Sequence, residues 1–158
     1  MKYAFLKLTA PVALCAALLC GCGEKPVVID INELAFELCS SDLFAEEMNN
    51  MSENLLRKRY GIEEGDYLEY KAGAGTRAVV DEYLIIKTDP ANPDNAARVQ
   101  SAIEKHINNQ MDSYEDYRPD EMPKLEDYVY VSCGDYQIMV VSDNNAKAQE
   151  IITKYTQQ

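Results

Sequence analysis

The sequence predicts an α+β domain: a four-stranded antiparallel sheet of two hairpins with helices packed on it, in the order ααββαββα. Three observations carry this expectation. Two pairs of alternating apolar runs are each joined by a glycine-containing turn. A stretch with helical spacing follows each pair, and two more helical stretches without interior proline precede the first.

In chain order, Ile31, Leu34, Ala35, Leu38 and Cys39 recur at helical spacing, and a second helix is expected from about Leu43 to Tyr60, stopped by Gly61. The runs "DYLEYKA" (66–72) and "VVDEYLIIKT" (79–88) read as strands joined by Gly73-Ala74-Gly75-Thr76, with Asp89-Pro90 ending the second. Asn92-Pro93-Asp94 starts a helix by capping chemistry, and Ala96, Val99, Ile103, Ile107, Met111 and Tyr114 form one apolar face as far as about Tyr117. "YVYVSC" (128–133) and "YQIMVV" (136–141) flank the tight turn Gly134-Asp135. Asp143 is then placed to cap a last helix that turns Ala148, Ile151, Ile152 and Tyr155 inward.

Ahead of this domain, Lys2 and Lys7 flank the first residues, and Leu8 to Leu19 is apolar apart from Thr9. That run is shorter than the roughly 20 apolar residues a spanning helix needs, so it reads as a signal peptide. At its end Leu19-Cys20-Gly21-Cys22 resembles the lipobox of bacterial lipoproteins. The resemblance implies a leader over 1–21, Cys22 as the lipid-modified first residue, an anchor and linker over 22–28, and one domain over 29–158. Two acyl chains hold a protein stably to a bilayer where one holds it marginally. The expected location is the extracytoplasmic face of the cell membrane.

Composition narrows the partners. The chain carries a formal charge of −12, and loss of Lys2 and Lys7 with the leader takes it to −14. Nucleic acid is opposed, because phosphate contacts need clustered Lys and Arg. The same charge repels anionic headgroups over about 8 Å, so a tethered domain stands off the surface. Besides the membrane, an envelope protein, peptide or glycan is the expected partner, and no cofactor is implied.

Candidate chemistry is sparse. His106, the single histidine, falls at the edge of the long helix's apolar face and reads as a surface or boundary side chain. There is no glycine-flanked serine of the G-x-S-x-G kind. Asp112, Glu115, Asp116, Asp120 and Glu121 form an acidic stretch without the spacing of a calcium loop. Cys39 and Cys133 are candidates for a disulfide, which an exported domain permits, although Cys39 on the apolar stripe equally suits a small buried hydrophobe. Tyrosine is abundant: if Tyr67, Tyr83, Tyr128 and Tyr130 line one sheet face, they offer an aromatic platform for peptide or glycan, or they pack across strands. The expected function is a lipid-anchored binding or scaffolding module without catalysis. The alternatives are an envelope hydrolase using carboxylates from separate elements and a calcium-dependent adhesion or sensor module.

The segment from about Glu63 to Val141 is similar to the domain of unknown function DUF4358, on the residues "DEYLIIK" (81–87), the helix from Ala96 to Tyr117, "YRPDEMPKLED" (117–127) and "VYVSCGDYQIMVVSD" (129–143). That resemblance implies a lipoprotein of Gram-positive, chiefly clostridial, bacteria, and carries no catalytic residue with it.

Overall fold

The computed structural model describes residues 27–157, so Cys22 and the leader lie outside the described residues. The fold is α+β, with a single antiparallel sheet of five strands. Helix α1 (Ile31–Ser40) begins where the Asp30 carboxylate accepts the N–H groups of Asn32 and Glu33. Strand β1 is only Asn49–Asn50, and α2 (Glu53–Tyr60) follows, capped by Ser52 and ended by Gly61 at φ 75°. Beyond a single 3₁₀ turn at Glu64–Asp66 come β2 (Glu69–Ala74), β3 (Glu82–Lys87), α3 (Asp94–Tyr114) and α4 (Met122–Glu126). The chain closes with β4 (Val129–Cys133), β5 (Tyr136–Val141) and α5 (Asn145–Thr156).

The strand order is β1-β2-β3-β5-β4. The two expected hairpins are present and join through β3 and β5, with Glu82 opposite Val141 and Lys87 opposite Tyr136. The fifth strand, β1, adds two residues to the β2 edge through Asn49–Ala74 and Asn50–Gly73.

Helices cover both faces. On one face α1 and α5 bury Tyr83, Ile85, Tyr136, Ile138 and Val140. On the other, α2, α3 and α4 bury Ala72, Leu84, Ile86, Met139 and Val141. Both central strands are therefore buried at nearly every position, the pattern of a strand covered on two sides. Among the described residues no helix is long and apolar enough to cross a membrane.

Several elements differ from expectation. The second helix starts at Glu53 instead of Leu43, because the backbone before it bonds to distant partners: Leu43 C=O accepts from Asp143 N–H, and Ala45 N–H donates to Asp81 Oδ2. Gly73 and Ala74 belong to β2 and not to the loop. A Cβ on Gly73 would lie 2.5 Å from Tyr83 Cε1, so the ring across the sheet occupies the space a side chain would need. The long helix ends at Tyr114, and α4, unforeseen, buries Leu125 beneath the same face. Asn144 and not Asp143 caps α5, accepting from Lys147 N–H at 3.0 Å, which frees Asp143 to pair with Lys124.

Candidate functional site

Two adjacent carboxylates, Asp81 and Glu82, enter β3 with side chains fully shielded from solvent. A buried ionised carboxylate survives only with partners, and each has its own set.

Glu82 points to the α2 and α3 face. Its Oε1 lies 2.7 Å from His106 Nε2 and accepts from Gln110 Nε2 at 2.8 Å. Its Oε2 accepts from the Tyr60 hydroxyl at 3.1 Å and pairs with an Arg59 guanidinium nitrogen at 3.2 Å. The supply is economical in sequence: neighbours on α2 give Arg59 and Tyr60, while His106 and Gln110, four apart, share one face of α3. The Tyr60 and His106 rings pack with centroids 4.2 Å apart. Burial alone would raise the Glu82 pKa, but His106, Arg59 and Tyr60 outweigh it and hold the carboxyl below its ordinary 4.5. Burial and the Glu82 charge push the Tyr60 hydroxyl well above its ordinary value.

The sign of the resulting pH dependence follows. A carboxyl whose folded pKa is depressed contributes stability that is present above its unfolded value and is lost as pH falls through the folded one. Thermal melts stepped from about pH 7 to about pH 3 should fall more steeply for the native protein than for Glu82→Gln. Parallel curves would refute the assignment.

Asp81 belongs to a second cluster. Lys124 Nζ lies 2.8 Å from Asp81 Oδ1, 2.8 Å from Asp143 and 3.2 Å from Glu121, with 12% of its side chain exposed. Burial raises the Asp81 pKa although Lys124 and the Ala45 N–H pull against it. For Lys124 burial acts downward, and Asp143 and Asp81 more than reverse it. Glu121 also accepts the Val80 N–H at 3.0 Å, and Arg118 pairs with Asp120 at 2.9 Å. Two members of the acidic stretch, Asp120 and Glu121, are thus engaged by cations of this chain.

Between α2, the β2–β3 loop and the end of α3 lies a cleft of about 510 Å³. Leu55, Ala74 and Val79 give it apolar walls, Tyr114 closes one side, and Arg59, Arg77 and Asp81 reach it. Arg59, 30% exposed, joins the two regions, with one end on buried Glu82 and its surface on the cleft.

A family model described as a domain of unknown function, DUF4358, matches residues 41–142. The chain belongs to the DUF4358 family. The DUF4358 span takes in the sheet, α2, α3 and α4, hence the Glu82 cluster, the cleft and all of the Lys124 cluster except Asp143; α1 and α5 fall outside it. No curated protein and no solved structure shows significant similarity to this DUF4358 chain.

The other anticipated site residues are placed differently. Tyr67, Tyr83, Tyr128 and Tyr130 do not share one face. Register decides this: Tyr83 stands opposite Val140 and Tyr130 opposite Met139, and adjacent residues of β5 point to opposite sides. Tyr83 is buried beneath α1 and α5, its ring centroid 6.2 Å from that of Phe44. Tyr67, Tyr128 and Tyr130 are half-buried on the α2 and α3 side, Tyr67 edge-on to Tyr70. Cys39 and Cys133 are free thiols. Cys39 is exposed on α1 beside Tyr83, away from the stripe of Ile31, Leu34, Ala35 and Leu38, while Cys133 Sγ lies 3.7 Å from the Thr156 carbonyl. His106, expected at the surface or its boundary, is 7% exposed. Its one available signal was the glutamate inside an otherwise apolar strand, since a buried acid demands a partner and this chain has one histidine.

Proposed function

We propose that this protein is a lipid-anchored, extracytoplasmic binding module, held through Cys22, whose ligand site is the cleft bordered by Arg59 and Arg77. The observation that carries the reading is the position of the cleft relative to the start of the described chain at Val27. Val27 lies beside Gly134, and Ile29 N–H donates to the Tyr136 hydroxyl at 3.2 Å, so the described chain starts at the β4–β5 turn. The register sets Tyr136 against Lys87, at the opposite end of β3 from Glu82 and the cleft. That strand measures about 17 Å between the two ends. Cys22 precedes Val27 by five residues, a reach of about 18 Å at most. A tether there sets the turn toward the bilayer and the cleft toward the outside.

The commitments of the carboxylates favour binding over catalysis. Asp81 and Glu82 are sealed from solvent and each is held by cations. An acid fixed in this way braces a site more readily than it exchanges protons with a substrate.

Metabolic labelling with a fatty-acid analogue tests the anchor. The native chain should take up label and sediment with membranes, and Cys22→Ala should do neither. Label retained by Cys22→Ala would refute the tether.

A further inference from the structure

We infer that the cleft binds an organic carboxylate, an acid group carried on an apolar stem, with Arg77 as its principal cation and Arg59 as its second. This deepens the reading of the cleft as the ligand site and rests on it.

The inference comes from counting charge that is already committed. Of the acids near the cleft, Asp81 is held by Lys124 and the Ala45 N–H, and Glu46 accepts the Thr76 N–H. Arg59 is matched by Glu82. Arg77 is exposed, its carbonyl accepts from the Tyr114 hydroxyl at 3.2 Å, and its guanidinium has no acidic partner among the described residues. Arg57, Arg59, Arg98 and Arg118 each pair with an acid of this chain, and Arg77, at the mouth of the cavity, does not.

One unmatched positive charge suits a monoanion. A dianion such as phosphate would carry a second charge for which the cleft offers no uncommitted cation, since Arg59 is matched by Glu82. The planar guanidinium fits a carboxylate through paired N–H groups. Leu55, Ala74 and Val79 supply walls for an aliphatic stem. Glu82, Tyr60, His106 and Gln110 act indirectly, by holding Arg59 in place.

The test uses the full chain in detergent micelles, labelled with nitrogen-15, and follows the side-chain N–H signals of Arg59 and Arg77. Three probes share one aliphatic stem: N-acetyl-leucine, N-acetyl-leucinamide and 3-methylbutylamine. The acid should shift both arginine signals saturably and bind at least about tenfold more tightly than the amide, and Arg77→Gln should remove that preference while leaving the melting temperature unchanged. Equal affinity for acid and amide, or a preference for the amine, would overturn the ligand class and leave the cleft as the site. If no probe moves a cleft resonance, the site reading falls as well.

Discussion

Glu82→Ala should unfold this protein more readily than any other single substitution in the Glu82 cluster. The alanine leaves the Tyr60 hydroxyl and His106 Nε2 facing a void with little access to water, since Tyr60 is 5% and His106 7% exposed, and it removes the acid that the partly exposed Arg59 guanidinium and Gln110 amide also bind. Breaking a buried pair by removing one partner costs about 3 to 5 kcal/mol, most of it from the group left behind. In a domain of this size that corresponds to a melting temperature lower by roughly 10 °C or more. Glu82→Gln keeps the shape and one acceptor oxygen, exchanging the other for an amide donor, and should lose clearly less. Thermal unfolding followed by circular dichroism measures both. A loss under about 1 kcal/mol for the alanine variant would mean that the cluster does not hold α2 and α3 to the sheet.

Lys124→Met should be nearly as severe, for the opposite reason. The methionine fills much the same volume but strands the fully shielded Asp81 carboxylate together with half-exposed Asp143, while Glu121 keeps Arg118 at 3.5 Å. The expected cost is again about 3 to 5 kcal/mol near neutral pH. Its pH dependence separates charge from packing. Asp81 already titrates above its ordinary value because of burial, and without Lys124 nothing cationic opposes that shift. Protonation then removes the unpaired charge, so the deficit relative to the native protein should shrink as the pH falls. Asp81→Asn in the Lys124→Met background should restore part of the loss. A deficit that is constant with pH and unrelieved by Asp81→Asn would assign the effect to packing.

The two clusters meet at the start of β3, where consecutive residues serve different layers. Glu82 braces α2 and α3 from beneath, while Asp81 ties the loop before β1 to α4. Arg59 stands at the boundary and presents to the cleft a guanidinium that Glu82 holds in place.

The amino-acid order was enough for the hairpins, the long amphipathic helix, the stop of α2 at Gly61 and the excess negative charge, because each depends on composition or on neighbours within a few residues. Period-two and period-3.6 spacing and turn glycines act locally, so the chain states them directly, whereas the expected caps did not hold: no side chain caps α3, and Asn144 takes the place of Asp143 at α5. Three things depended on contacts across long separations. The stretch before Ser52 left the helix to bond with Asp81 and Asp143, the tyrosines were divided between faces by the β3–β5 register, and His106 was drawn inside by an acid 24 residues away. The strength of such bonds lies in the exclusion of water, which exists only after the layers close on the sheet, and no local pattern encodes it.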